Sequence, residues 1–205
     1  MIKDYLTIVD GSVTDLDAVR RTIQPGGSES PMVDIIVSGI GGKLSFDNPL
    51  NPTLDNPTIC QNGIRTILSA ARSSSSDSDH KPTLIAISTT GITDQCRDVP
   101  FAMMPVYYWL LKTPHEDKKV MERLIRDESV RPVRESGIGE YTIVKPSMLT
   151  DGDGVGLDKI QVGVEEQPAV GYFMAREDVG RWIFEVLVKP GLKSDYLGKV
   201  VSITT

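Results

Sequence analysis

Apolar runs and amphipathic stretches alternate along this chain of 205 residues from its beginning. Short, nearly continuous runs of apolar and β-branched residues are typical of strands that are buried on both faces of a parallel sheet. Such runs predict strands at residues 5–9, 32–37, 83–88 and 141–144, near residues 160–162, and at residues 199–203. Glycine, proline or hydroxyl residues follow most of these runs and indicate where a strand ends.

The stretches between the strands carry apolar residues three and four positions apart, which is the spacing of one helix face. They predict helices after residue 14, after residue 57, around residues 103–111, from residue 113 and near residues 177–188. Candidate helix-start residues are Thr14 for the first, Asp55 or Asn56 for the second, and Thr113 with Pro114 for the fourth. The alternation predicts one α/β domain over residues 1–205, a doubly wound parallel sheet in which residues 151–205 are a C-terminal elaboration.

Composition and charge narrow the classes of partner. The chain has 22 basic and 28 acidic residues, a net charge of -6, and no basic cluster of the kind that binds nucleic acid or an anionic membrane. Cys60 and Cys96 cannot form a disulfide framework and lack the histidines of a zinc site. Without a signal-peptide pattern or a long apolar segment, we expect a cytoplasmic protein whose partners are small molecules or other proteins.

Three segments carry motifs that occur together in one protein family. Residues 8–19 have the sequence IVDGSVTDLDAV, and residues 174–179 have the sequence MAREDV. Between them, residues 118–122 (KKVME) precede Ser-Gly at 136–137 and YTIVKPS at 141–147. Taken in chain order, these segments resemble motifs of the atypical short-chain dehydrogenases/reductases, in particular of their NAD(P)H-binding, NmrA-like branch. The middle segment matches most specifically, whereas Ser12 stands where the family usually has Asp.

The resemblance implies a Rossmann-like fold and an NAD(P) cofactor, without distinguishing NADH from NADPH. Lys118 corresponds to the lysine that holds the nicotinamide ribose. Strand-end loops in such folds open into the crevice that holds the dinucleotide. The implied cofactor contacts are Ser38, Gly39, Gly41, Ser88, Thr89, Thr90, Lys118, Pro146, Ser147 and Leu149.

The glycine-rich loop that binds the pyrophosphate in this family has no counterpart in the sequence. Residues 5–9 resemble the family's third strand, so the sheet is expected to be N-terminally truncated. Gly39-Ile40-Gly41-Gly42 is a weak substitute because a loop-like stretch, and no helix, follows it. We therefore expect weak or absent NAD(P) binding. Residues 5–9 should either pair with residues 32–37 or leave an edge that a second subunit of a homo-oligomer covers.

The proton donor of such enzymes is a tyrosine four residues before the lysine, and here that position is Pro114. His115 could act as an acid, although an exposed histidine in a first helical turn is the simpler interpretation. Tyr108 and Lys112 form a second tyrosine-lysine pair of the same spacing. Besides Lys118, the candidate catalytic residues are therefore Ser88, His115 and Tyr108. Residues 151–156 (DGDGVG) lack the flanking helices and final glutamate of a calcium loop, so no metal is expected.

Three functions remain open from the sequence. The first is an NAD(P)-dependent oxidoreductase acting on a small organic molecule, in which the cofactor supplies the hydride. The second is a non-catalytic relative that senses dinucleotides or binds a protein. The third is a cofactor-independent isomerase or lyase that transfers protons with Ser88, His115 and Tyr108. Fold alone does not decide among them.

Overall fold

The computed structural model describes residues 5–27, 30–45, 53–74, 80–93, 96–190 and 194–205, except the side chains of Val106 and Tyr108. The strands, in chain order, are β1 (Ile35–Ser38), β2 (Leu44–Ser45), β3 (Thr53–Leu54), β4 (Thr83–Ile87), β5 (Glu140–Pro146), β6 (Met148–Thr150), β7 (Gln161–Val164), β8 (Phe173–Ala175) and β9 (Lys199–Thr204). The α-helices are α1 (Leu16–Ile23), α2 (Ile59–Ser74), α3 (Met104–Leu110), α4 (Lys112–Ser129) and α5 (Arg176–Trp182), which continues as a π-helical segment, Ile183–Val188.

A five-stranded sheet in the order β1-β4-β5-β9-β7 forms the centre of the structure. The first four of these strands are parallel, and β7 runs antiparallel to β9 at one edge. This arrangement confirms the predicted α/β fold with a mostly parallel sheet. Two small sheets lie outside it: the antiparallel pair β2–β3 falls in the stretch after Gly42 that the sequence predicts as loop, and β6 pairs in parallel with β8.

Helices cover both faces of the sheet, as a doubly wound fold requires. Along β4, Leu84 belongs to a core cluster with residues of α1, α2 and α4, whereas its neighbour Ile85 belongs to a second cluster with residues of α5. Successive strand residues point to opposite faces, so a strand with no polar position between residues 84 and 86 must be covered twice. None of the helices in the described part of the chain is long and apolar enough to cross a membrane.

Residues 5–9, which the sequence predicts as a strand, form none. Tyr5 is 92% exposed and Ile8 is 83% exposed, and the strand partner of β1 within the described residues is β4. The expected pairing of residues 5–9 with residues 32–37 is therefore wrong. An apolar run becomes a strand only where a sheet edge accepts its backbone hydrogen bonds and a neighbouring layer covers its side chains, and here Val9 alone lines a groove beside β1.

Helix starts also differ from the sequence prediction. Asp15, and not Thr14, caps α1, because its carboxylate accepts hydrogen bonds from the amides of Asp17 and Ala18. Helix α4 begins at Lys112 with no side-chain cap, so Thr113 lies inside its first turn. The helix α3 ends immediately before it, and this continuity removes the need for a separate cap.

Candidate functional site

Three loops meet at the carboxyl edge of the sheet. They follow the adjacent parallel strands β1, β4 and β5 and comprise residues 38–41, 88–91 and 146–149. The second loop continues the pairing with β5, because the amide of Ser88 donates to the Val144 carbonyl (2.7 Å) and that of Thr90 to the Pro146 carbonyl (3.3 Å). We call the space bounded by these loops the crevice.

Lys118 reaches the floor of the crevice from α4. Its ammonium donates to the carbonyls of Ile40 (2.9 Å) and Ile87 (2.7 Å), which lie just beyond or at the ends of β1 and β4. The Met121 sulfur, a weak acceptor, lies 4.0 Å from it, and the Cys60 thiol also interacts with the ammonium. Lys118 thus fixes two strand ends relative to each other, and an oxygen acceptor of a ligand would compete with these sulfurs for its third N–H. Lys112 and Lys119, by contrast, are exposed.

Ser88 and Thr90 are buried, and their hydroxyls hold the loop in place. The Ser88 hydroxyl donates to Glu122 of α4, and the Thr90 hydroxyl lies 3.3 Å from the hydroxyl of Tyr107 on α3. Burial raises the pKa of Glu122, although the nearby Lys145 and the Ser88 hydrogen bond act against this. The half-buried Thr89 hydroxyl donates to the carbonyl of Thr90 (3.2 Å), so it offers its lone pairs, and not its proton, to a ligand.

His115 is not the exposed surface residue that its place in a first helical turn suggests. Its ring lies against Tyr107, with centroids 5.5 Å apart, and its Nε2 is buried without a hydrogen-bond partner. Burial, together with the charges of Lys119 and Lys145, lowers its pKa to about 4. The imidazole is therefore neutral near pH 7 and lacks the acidic proton of an imidazolium. The other proposed acid, Tyr108, has its side chain outside the described residues.

The loop after β5 turns its hydroxyl away from the crevice. Ser147 is buried, and its Oγ lies 2.9 Å from Oγ1 of Thr204 in β9. Leu149 is half-buried and packs against the core cluster around α5. The carbonyl of Pro146 accepts a hydrogen bond from the Thr90 amide. These contacts place the loop at the side of the crevice, where it bounds the space and offers a ligand few polar groups.

The crevice continues into an apolar groove of about 380 Å³ beside β1. The groove runs between Gly11, Ser12 and Val13 on one side and residues 36–40 on the other, and α1 forms its floor. Ser38 is 4% exposed, and its Oγ has no hydrogen-bond partner. A buried hydroxyl without a partner loses about 1–3 kcal/mol, which a polar ligand in the groove would recover.

The comparisons with known proteins agree with this geometry. A family model described as NAD(P)H-binding matches residues 2–190. The protein "Reductase pytE" from Aspergillus terreus is 59% identical over 207 residues, which cover 99% of this chain and 79% of that protein. "Oxidase pynE" from Aspergillus niger is 35% identical over 214 residues, which cover 91% of this chain and 75% of that protein. The chain belongs to the NAD(P)H-binding family.

Solved structures of low identity share the fold. A short-chain dehydrogenase/reductase from Veillonella parvula in complex with NADP matches with a TM-score of 0.66 and 12% identity, over 97% of this chain and 72% of that one. ChuY, an anaerobillin reductase from Escherichia coli O157:H7, matches with a TM-score of 0.62 and 17% identity, over 99% of this chain and 77% of that one. These likenesses support a Rossmann-like fold of the short-chain dehydrogenase/reductase type.

The residues of this NAD(P)H-binding chain fit the hydroxyl-rich part of its family's cofactor. Ser38 supplies an unpaired buried hydroxyl, and Lys118 supplies an ammonium at the adjacent strand ends. The backbone between them is accessible, because a Cβ added at Gly41 would meet nothing within 4 Å and one at Gly39 only Ile87, at 3.8 Å. The nearby thiol of Cys60 is not a nucleophile, since burial raises its pKa to about 11.

Asp117 is the functional residue that the sequence analysis missed. It is 1% exposed and accepts hydrogen bonds from the amides of Cys60 (2.8 Å) and Gln61 (2.9 Å), so it caps α2 from α4. The predicted cap Asn56 also contributes, because its Oδ1 accepts from the Thr58 amide (3.3 Å) just before the helix. The signal was present: Asp117 lies four residues before the buried Met121, on the apolar face of α4. An acid at an apolar position of a helix indicates a buried partner.

The loop at residues 151–156 is held by hydrogen bonds and an ion pair to α5. The amides of Val155 and Gly156 donate to the fully buried carboxylate of Asp178, and Asp151 pairs with Arg176. Asp178 and Asp151 are therefore already engaged. Within the ranges that the structure describes, no group of three or more metal-binding side chains occurs.

Proposed function

We propose that this chain is an NAD(P)H-dependent reductase of a small organic molecule. The observation that carries the proposal is the presence of Lys118 and of the unpartnered Ser38 hydroxyl near neighbouring strand ends. Family membership and the relative named as a reductase give the same direction. A cytoplasmic setting with reduced thiols is part of the proposal, supported by the free Cys60 and Cys96.

Each residue of the crevice has a defined task under this proposal. Lys118 donates to ligand hydroxyls with its third N–H, and Ser38 donates its hydroxyl to the same ligand. The bound cofactor supplies the hydride. Thr89 borders the reacting end, while Leu149 and its neighbours exclude water. The neutral, buried His115 does not act as the proton donor.

We further propose that this chain binds the dinucleotide weakly. Dinucleotide pyrophosphates bind at helix N-termini, where amides point at the anion. In the described residues, Gly39–Gly42 leads into β2, and the nearby N-terminal amides of α2 are held by the carboxylate of Asp117. A second negative charge at that place would be repelled. The crevice thus offers hydroxyl contacts and no described anion site.

Calorimetric titration with NADH and NADPH tests both proposals. We expect a dissociation constant above about 0.1 mM, and a low-micromolar value, worth roughly 8 kcal/mol, would refute weak binding. Lys118→Met should abolish both binding and cofactor oxidation, whereas the exposed Lys112→Met and Lys119→Met serve as matched controls. If all three variants behave like the wild type, the crevice is not the cofactor site.

A non-catalytic dinucleotide sensor is the second candidate, favoured by Pro114 at the position of the family's tyrosine. It predicts cofactor binding without turnover of any ketone or quinone offered. The isomerase or lyase proposal has less support, because Ser88 is bonded to Glu122 and His115 is neutral.

The outer edge of β1 supports the proposal of a homo-oligomer. Val37 is 48% exposed there, and the described residues supply no strand beyond β1. An open edge presents unpaired amides and carbonyls that another chain can take up. Equilibrium sedimentation tests this proposal, and a monomer at all concentrations would refute it.

A further inference from the structure

A buried carboxylate anchors the loop that follows β4. Asp98 accepts a hydrogen bond from the Gly91 amide with Oδ1 (2.9 Å), and its Oδ2 lies 3.3 Å from the ammonium of Lys145. Both side chains are 3% exposed. Lys145 belongs to β5, so one carboxylate ties a loop amide to the strand beside it. Neither residue belongs to the cofactor contacts implied by the family resemblance.

The conformation of Gly91 makes this anchor specific. Its φ is +86°, which non-glycine residues rarely adopt, and a Cβ there would lie 2.4 Å from the Tyr107 ring and 3.0 Å from His115. The loop therefore passes against two rings on one side while Asp98 holds its amide. Rings and carboxylate together leave the backbone little freedom at this position.

Thr90 and Thr89 connect the anchored Gly91 to the crevice. Thr90 is bonded to Tyr107 and, through its amide, to the Pro146 carbonyl. Thr89 is the half-buried residue at the crevice. A displacement of Gly91 would therefore change where Thr89 lies relative to a bound cofactor.

Stability is a poor explanation for a buried ion pair in this place. Desolvation of two charges offsets their attraction, and apolar residues of similar volume are often as stabilising or more so. What an apolar pair cannot supply is a directional acceptor for the Gly91 amide. The ion pair therefore contributes position more than stability.

We propose that Asp98 and Lys145 are positioning residues that set Thr89–Gly91 against the reacting end of the cofactor. The anchoring of the loop follows from its geometry, whereas the effect of the anchor on turnover rests on the proposed reductase function. It assigns a purpose to a buried lysine that the sequence analysis left unexplained.

The test uses the full chain with the double substitution Asp98→Ala/Lys145→Met, because either single change leaves a buried charge without its partner. The control Glu185→Ala/Lys189→Met removes an exposed ion pair. The double variant Asp98→Asn/Lys145→Met keeps an acceptor for Gly91 without leaving a buried charge unpaired, and it is expected to lie between the two. The measurements are melting temperature, hydrogen exchange of a peptide covering residues 88–93, and oxidation of NADH and NADPH with menadione as acceptor.

The Asp98→Ala/Lys145→Met variant also takes the charge of Lys145 away from Glu122, so its melting temperature is expected to fall modestly. It is expected to exchange the loop amides at least about tenfold faster than the control and to lose about tenfold or more in kcat/KM. The control should change none of the three. If hydrogen exchange of the loop amides is unchanged, Asp98 and Lys145 do not anchor the loop. If exchange is faster but cofactor oxidation is unchanged, they anchor the loop without positioning it for the reaction. An inactive wild type would refute the reductase function separately, and the exchange result would then decide on the anchor alone.

Discussion

Acidification should destabilise the protein through His115. Its ordinary pKa, which applies to the unfolded chain, is about 6.5, whereas burial and the charges of Lys119 and Lys145 lower it to about 4 in the folded protein. A group whose pKa is lowered by folding binds protons more weakly when folded. The stability it contributes is present above the unfolded pKa and is lost as the pH falls towards the folded value.

The size of the loss depends on how far the pH is lowered. The full difference, 6.5 minus about 4, is about 2.5 units, or an upper limit of about 3 kcal/mol. Between about pH 7.5 and pH 5 roughly 2 kcal/mol should be lost. Glu122 acts in the opposite direction, because its raised pKa adds stability as the pH falls. A comparison with a variant that lacks only the imidazole removes this contribution.

The assay is urea unfolding of the wild type, His115→Phe and His80→Asn at about pH 7.5, 6 and 5. The chain has two histidines, and His80 is the matched control because its side chain is 45% exposed beside Asp34. Phenylalanine keeps the ring against Tyr107 and loses no hydrogen bond of Nε2, which has no partner. We expect His115→Phe to lose about 2 kcal/mol of the pH dependence and His80→Asn to keep it. Equal pH dependence in the wild type and His115→Phe would refute the reasoning.

Three further outcomes can be measured on single variants. Asp117→Ala should lower the free energy of unfolding by about 2–3 kcal/mol, because two charge-assisted bonds to α2 are lost, while Asp127→Ala at an exposed position of α4 should stay within about 0.5 kcal/mol. Gly91→Ala should cost about 1–3 kcal/mol and lower the melting temperature, since both the positive φ and the Tyr107 ring oppose a Cβ; a neutral result would contradict the loop geometry. Glu128→Gln should cost about 1–3 kcal/mol of unfolding free energy at neutral pH. Burial would raise the pKa of Glu128, but Arg72 and the Gly137 amide hold it below its usual range. The wild type should therefore lose this stabilisation as the pH falls below about 4.5 and through the folded pKa, and the variant should show no such loss.

The buried strands could be predicted from sequence because their signal is strong and local. Apolar runs over residues 83–88 and 141–144 correspond closely to β4 and β5. The run at residues 5–9 has the same composition and forms no strand, since a strand also needs a sheet edge to pair with. The composition of a run shows that it can be buried. Which strand or helix covers it depends on the whole fold.

Site residues follow the same rule. Lys118 could be placed from its motif, because the offset within the helix determines which face it occupies. The burial of His115 could not, because it depends on Tyr107, which reaches it from the preceding helix. The role of Asp98 is harder still to predict, since one partner, Gly91, lies in a loop and the other, Lys145, lies in a strand far along the chain.

The spacing of the K-x-x-x-E motif has a physical explanation in this structure. Lys118 and Glu122 are four residues apart, about one helical turn, and they contact consecutive residues, the Ile87 carbonyl and the Ser88 hydroxyl. One turn of α4 therefore holds the end of β4 at two adjacent points. A cofactor-free relative would need both contacts to keep this edge of the sheet in order, so the motif alone supports the fold. It is the unpartnered hydroxyl of Ser38, at the neighbouring strand end, that argues for a bound cofactor.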